Sequence, residues 1–215
     1  KDTTFVTGTG FNSDIKKIIL DASENKIYVA GRFTAYNGNV RRSIVKLNVD
    51  GTMDNSFDVS TYFSGPNEYS VNDILQEPIT GKIYAVGYFT KYNSISSPAI
   101  IRLNYNGTRD ASFNVGTGLA GGVAGYTNGY RIKYDSLNKL LVTGNFATYN
   151  GTSSVNFVRL LSSGAIDLSV GTGFGNSSAN GVQEIKEDAS NNLIVGGSFQ
   201  TYKGIRMPFL AKIDS

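Results

Sequence analysis

An all-β fold is predicted by three observations on this chain of 215 residues. An aromatic turn is written four times, strand-length apolar segments stand between tight-turn signals, and no segment has helical periodicity. The turn reads GRFTAYNG at 31–38, GYFTKYNS at 87–94, GNFATYNG at 144–151 and GGSFQTYKG at 196–204. Its phenylalanines, Phe33, Phe89, Phe146 and Phe199, stand 56, 57 and 53 residues apart. A period of this length with four apolar segments inside it predicts a four-bladed β-propeller of four-stranded antiparallel blades.

In the first copy the strands are predicted at 14–20 (A, DIKKIIL), 26–33 (B, KIYVAGRF), 43–48 (C, SIVKLN) and 55–59 (D, NSFDV). Each is short and rich in β-branched or aromatic residues. SENK, ITGK, SLNK and SNNL mark the A–B hairpins. NVDGTMD (48–54), NYNGTRD (104–110) and LSSGAID (161–167) mark the C–D hairpins, where Asp-Gly and Asn-Gly supply the positive φ that such turns require.

The two ends suggest how the repeat is completed. Residues 2–11 repeat the pattern of 110–119, and the chain stops just after the last C strand. The N-terminal strand is therefore expected to complete the last blade, with residues 2–7 beside 209–213, which would remove the open sheet edges. This gives a single domain over 1–215, with repeats at roughly 8–59, 60–115, 116–170, and 171–215 plus 1–7. Strand A residues such as Ile18 and Ile132 are expected to fill its narrow centre. The opening KDTTFV, with no initiator Met and no signal-peptide pattern, suggests a processed or excised segment.

The stretch GRFTAYNG…RRSIVKLNVDGTMDNSFDVS resembles the delta-sixty type of β-propeller repeat. That family forms tandem blades in large secreted or cell-surface bacterial proteins and in some bacteriophage tail proteins. The resemblance covers nearly the whole chain, and the third copy departs from it at LLSSGAIDLSV. It implies a fold and a habitat, extracellular, cell-surface or virion, and no catalytic motif. Function has to be argued from the residues.

Composition removes several classes. Twenty Lys and Arg against 17 Asp and Glu leave a net +3 with no basic block, which argues against a nucleic-acid partner. No run of about 18 apolar residues is present, so no insertion into a membrane is expected. Histidine and cysteine are both absent, which excludes Ser-His-Asp, Cys-His and His-ligated metal chemistry. Carboxylate chemistry is what remains, and a glycoside hydrolase would need two converging acids, for which the sequence gives no reason. No enzyme, cofactor or metal is expected. At the C–D turn the position before the glycine changes from Asp50 to Asn106 to Ser163, so turn geometry is kept while a calcium loop's charge is not.

The repeated cations Lys46, Arg102, Arg159 and Lys212 either ring an anionic ligand or pair one by one with the repeated aspartates Asp54, Asp110 and Asp167. The repeated tyrosines Tyr36, Tyr92, Tyr149 and Tyr202 are expected to pack their rings inward and keep their hydroxyls wet. Variation between copies points elsewhere. The D–A connections differ most, and loops on a rigid scaffold commonly carry binding residues. Tyr62, Asn67, Glu68 and Tyr69 in one loop, with Tyr126, Thr127 and Asn128 in the next, are the candidate ligand contacts, offering flat rings and amides to a glycan or a protein surface. The expected function is a non-catalytic extracellular recognition or adhesion module. The alternative is an assembly subunit of a larger surface or virion particle, in contact with neighbouring subunits; a carboxylate-dependent glycoside hydrolase is the remote third.

Overall fold

Four sheets of the same plan carry the repeat. In the computed structural model each has three antiparallel strands in the order A–B–C, with B central. They are Ile15–Asp21, Lys26–Gly31 and Ile44–Asn48; Ser70–Gln76, Ile83–Tyr88 and Ile100–Leu103; Asn128–Tyr134, Leu140–Asn145 and Phe157–Leu160; and Val182–Glu187, Leu193–Gly197 and Leu210–Ile213. The structure describes residues 4–21, 23–59, 63–65, 69–171, 173–175 and 181–214. Among these the one helical element is a 3₁₀ turn at Val123–Gly125. By its internal contacts the chain divides into two compact units, Lys1–Ser97 with Ile101–Asp110, and Pro98–Ile100 with Ala111–Ser215.

Each A strand carries a bulge near its start, between Ile15 and Lys17, Val71 and Asp73, Gly129 and Arg131, and Val182 and Glu184. The bulge lies opposite the glycine of the Gly-x-Phe pair. A Cβ on Gly31, Gly87, Gly144 or Gly197 would stand 2.2, 2.1, 2.1 or 2.3 Å from a backbone carbonyl of the facing strand or the residue leading into it. The close approach of two backbones is what the recurring glycine permits.

Between B and C the chain makes a second, small hairpin. Its central residues have positive φ in each copy, 48° and 75° at Asn37 and Gly38, 46° and 75° at Asn150 and Gly151, and 48° and 78° at Lys203 and Gly204. These are the angles a two-residue primed turn needs. The D–A connection pairs onto this hairpin, through the bridge Phe11↔Tyr36 and through Phe63↔Tyr92, Leu119↔Tyr149 and Phe174↔Tyr202. The B–C turns and D–A connections therefore lie together, as the alternation of strands requires.

That pairing builds an aromatic trio. Phe63 lies 4.9 Å from both Phe89 and Tyr92, Phe174 lies 4.6 Å from Phe199 and 4.8 Å from Tyr202, and Phe11 lies 4.5 Å from Phe33 and Tyr36. Tilted and edge-on pairs of this kind contribute about 0.5–1.5 kcal/mol each beyond the area they bury.

The tyrosine hydroxyls are not wet, contrary to expectation. Tyr36 Oη donates to the Gly51 carbonyl at 2.6 Å, Tyr149 Oη to the Gly164 carbonyl at 2.5 Å, and Tyr92 Oη to the Gly107 carbonyl. In each case the acceptor lies 15 residues on, at the C–D turn. Burial pushes the Tyr149 phenol well above its ordinary pKa, which keeps it a donor. Tyr202 donates instead to Gly171, at 3.0 Å.

The expected fourth strand is a second correction. After the C–D turn the chain returns through one bridge only, Leu47↔Met53, Leu103↔Arg109 or Leu160↔Ile166. The aspartate that follows then bends the chain. Asp54 Oδ1 accepts from the Ser56 amide and hydroxyl, and Asp167 Oδ1 does the same with Ser169. Such an Asx turn competes with the ladder for the backbone. What was read as strand D, 55–59, is therefore a docking segment: Phe57 is buried edge-on against Tyr28 at 5.4 Å, and the Asp58 amide donates to Asn106 in the next repeat's turn. Asn114 donates to Ser163, and Val6 to Asp50, in the same way. A Cβ on Gly51, Gly107 or Gly164 would meet this segment's backbone at 2.6–2.7 Å, and all three glycines have φ between 85° and 91°. No side chain fits there.

Each unit has its own core. In the first, Tyr28, Ala30, Ile44 and Phe57 of one repeat join Val71, Ile74, Ile83 and Phe89 of the next. In the second, Leu141, Phe157 and Val170 join Val182, Ile185, Leu193 and Phe199. Of the two strand A residues expected at the centre, Ile132 is buried and Ile18 is exposed.

Replacing Tyr149 by Phe should strand the Gly164 carbonyl and cost about 1–3 kcal/mol in urea unfolding. An unchanged midpoint would show that the hydroxyl bond does not hold the turn.

Candidate functional site

The repeated cations, buried at Lys46, Arg102 and Arg159 and exposed at Lys212, sit in pairs inside their own repeats. Arg102 Nε lies 2.6 Å from Asp110 Oδ2, and its guanidinium donates to Tyr84 Oη at 2.9 Å. Arg159 lies between Asp135 at 3.4 Å and Asp167 at 3.2 Å. Lys46 donates to Glu24, with Asp54 at 3.9 Å, while Lys212 pairs with Asp188 at 2.6 Å. Burial disfavours the charge on Lys46, but the Glu24 bond and Tyr28 outweigh it and raise the pKa. Each cation is thus engaged by a carboxylate of its own repeat, which favours pairing over a common anion site. Removing one partner of such a buried pair typically costs about 3–5 kcal/mol.

Among the described residues no group of three or more His, Cys, Asp or Glu side chains is arranged to hold a metal ion. A cavity of about 650 Å³ opens by the A–B turns of the first unit, beside Asp21, Glu24, Gln76 and Tyr105. Its aspartate is already used. Asp21 Oδ1 accepts from the Ser23 hydroxyl at 2.6 Å and Oδ2 from Gln76 at 2.5 Å, and Asp135 and Asp188 close the equivalent turns of the second unit.

The candidate ligand residues that the structure describes fall on the opposite ends of the strands. Tyr62, Asn67 and Glu68 lie outside the described residues. Tyr69 is half-buried, packs against the core of the first unit, and its hydroxyl accepts from Arg42, whose guanidinium carbon lies 5.8 Å from the ring centre. With Ser13, Arg32 and Thr34 it lines a cavity of about 270 Å³. Asn128 opens the third A strand, opposite Asn145.

Tyr126 is different. In the second unit the chain from Gly121 to Thr127 folds into a compact loop, and the ring of Tyr126 stands out from it at 55% exposure. The loop is held from beneath by Asn145, which is buried. Asn145 Oδ1 accepts from the Val123 amide at 2.9 Å, and its Nδ2 donates to the Tyr126 carbonyl at 2.6 Å and the Val123 carbonyl at 3.3 Å. Thr127 Oγ1 accepts from the Gly122 amide at 3.2 Å. Thr127 therefore shapes the loop, and Tyr126 is what the loop presents.

Sequence reasoning missed Asn145 and Arg42. The middle residue of Gly-x-Phe is Arg32, Tyr88, Asn145 and Ser198 in turn, so a small amide in that place was the available signal.

Three of the four repeats have a counterpart among known families. A family model described as a domain of unknown function (DUF5122) beta-propeller matches residues 23–57, 80–113 and 138–169. The chain carries DUF5122 beta-propeller repeats at three positions. Each match runs from the A–B turn to the docking segment, and the third includes the divergent LSSGAID turn. The sheet ending in Leu210–Ile213 lies outside the matches. Among curated proteins, none matches the chain.

The aspartate of the C–D turn gives the repeats an acid limit. Burial raises the pKa of Asp54, but its bonds to Ser56 and the Lys26 ammonium at 3.1 Å outweigh this and hold it at about 2, below the ordinary 3.8. The folded value is depressed, so this stabilisation is complete above about pH 5 and is lost as pH falls from 4 towards 2. Its size is on the order of 2 kcal/mol. Urea midpoints measured from pH 7 to pH 2 should fall in that window, and Asp54→Asn should flatten the fall.

Proposed function

We propose that the chain is a non-catalytic recognition module that binds a glycan or a protein surface through the loops at the D–A end of its repeats. The observation that carries this is the Tyr126 loop, in which a buried amide fixes the backbone while Tyr126 stays 55% exposed. A flat ring on a preorganised loop loses little conformational entropy when it is covered, which is the usual physics of a recognition surface. The proposed setting, extracellular, at a cell surface or on a virion, follows from the resemblance of the repeats.

We also infer that the four sheets are blades of one propeller, with residues 4–7 serving as the docking segment of a last blade. Support comes from Val6, whose amide donates to Asp50 as Asp58 donates to Asn106 and Asn114 to Ser163. A second reading, an assembly unit of a larger particle, is favoured by exposed apolar side chains in each unit, Ile15 and Ile18 in the first and Phe209 and Leu210 in the second.

The test is a glycan array, with binding to cell surfaces and virions, for the wild-type chain and Tyr126→Ala. The variant should bind at least about tenfold more weakly, the loss expected of an interface anchor, with an unchanged melting temperature. Asn145→Ala should weaken binding by loosening the same loop. No association of the wild type with any glycan, cell or virion would overturn the reading.

A further inference from the structure

The cavity of about 650 Å³ in the first unit lies at the A–B end of the strands, away from the D–A connections. Its size falls in the range of small-molecule sites. Two repeats build it, and they contribute differently. The first supplies framework, since Asp21 and Glu24 belong to an A–B turn of the kind that Asp135 and Asp188 close elsewhere. The second supplies residues that depart from the repeat. Tyr105 stands where the other C–D turns have Val49 and Ser162, and Gln76 where the other A strands have Leu20, Tyr134 and Glu187. Pro78 and Ile79 belong to an A–B turn that has Glu77 in place of the turn aspartate. The residues peculiar to this copy thus converge on one cavity.

The polar groups of the cavity are fixed before any ligand arrives. Asp21 is 4% exposed, and its Oδ1 accepts from the Ser23 hydroxyl and from the Ser23 and Glu24 amides, while Oδ2 accepts from Gln76 Nε2 at 2.5 Å. Burial raises the Asp21 pKa, but these bonds outweigh it and hold the carboxyl below its ordinary value. The same bond orients the Gln76 amide, whose carbonyl has no donor among the described residues. Glu24 accepts from Lys46 through Oε2, and its Oε1 has no donor among the described residues. At the matching junction of the second unit Glu187 uses both oxygens on the Ser136 amide and hydroxyl, at 2.9 and 2.7 Å. Beside the two open acceptors stand apolar groups in solvent, with Tyr105 63% and Ile79 93% exposed.

We propose that this cavity is a binding site for a neutral saccharide, with Tyr105 as the platform for the C–H face of a sugar ring and the Gln76 carbonyl and Glu24 carboxylate as acceptors for its hydroxyls. The lining selects against other classes. An anion would approach two carboxylates. A cation finds no unpaired charge, because four donors enclose Asp21 and Lys46 neutralises Glu24. A wholly apolar ligand would cover the two acceptors without supplying donors, at a cost of about 1–3 kcal/mol each. A saccharide offers hydroxyl donors at its edge and C–H groups on its face, so it matches both kinds of surface. Tyrosine suits the second role, since it brings a large apolar area with few torsions to freeze. The site binds and does not cleave, because Asp21, enclosed and ionised, has no proton to give. It is separate from the Tyr126 loop and holds or fails independently of binding at the D–A end.

Saturation-transfer NMR on the full chain with lactose, maltose and cellobiose should show binding of at least one of them. Tyr105→Ala alters a surface side chain, should leave the unfolding midpoint unchanged, and should weaken that binding at least about tenfold, as expected of an anchor. Tyr105→Phe keeps the ring and should keep most of the binding. Gln76→Leu, which installs the residue found at position 20, should weaken it roughly 2- to 10-fold, the weight of one hydrogen bond. Tyr126→Ala should leave it unchanged, which separates this site from the one at the D–A end. Transfer to none of the three sugars would overturn the proposal. Sugar binding that survives Tyr105→Ala but is lost in Tyr126→Ala would also overturn it while supporting recognition at the D–A end. Binding of spermidine alone, abolished by salt and by Glu24→Gln, would make the cavity a cation site and overturn it as well.

Discussion

The bond from a tyrosine hydroxyl to a glycine carbonyl 15 residues later is the constraint on which the first three repeats depend. It ties the small B–C hairpin, at one point of the repeat, to the C–D turn that follows the third strand. An incoming apolar residue of the D–A connection packs beside each of these tyrosines, Phe11 by Tyr36, Phe63 by Tyr92 and Leu119 opposite Tyr149. The carbonyl is available only because a glycine at φ near 90° leaves room for the docking segment. Three residue types far apart in sequence therefore define one closed polar and aromatic unit. The repeat is longer than its sheet because this unit has to be built around it.

Much of this was legible in the sequence, for reasons of geometry. Asn-Gly pairs and the Gly-x-Phe pair mark places where the backbone has few alternatives, so the hairpins and the A, B and C strands fall where they were expected, within a residue or two. Strand D did not. NSFDV has the composition of a strand, but Asp54 and Ser56 form an Asx turn that withdraws the backbone from the ladder, and Phe57 is held by the core rather than by strand pairing. The fate of the tyrosine hydroxyls was equally hidden, since their acceptor is a backbone carbonyl with no side-chain signature.

The candidate site was legible as a place more than as a set of residues. Loop variation pointed to the D–A end, where Tyr69 and Tyr126 do lie. Which tyrosine is the more exposed depended on neighbours from other segments: Arg42 engages the hydroxyl of half-buried Tyr69, while Asn145 props the loop beneath Tyr126, which is 55% exposed. Both neighbours lie in the repeated framework and not in the variable loops, so a search of the loops could not find them.

The docking segment also sets an order of events. Phe57 and Asp58 belong to one repeat, yet Asp58 is bound by a turn at 104–108 that lies some fifty residues further on. A ribosome adding roughly 5–20 residues per second leaves each repeat unfinished for several seconds after its own strands have emerged. During that interval an apolar face waits in water. The repeats must therefore mature one behind another from the N-terminus, and the growing end of the chain is always the part most prone to wrong association.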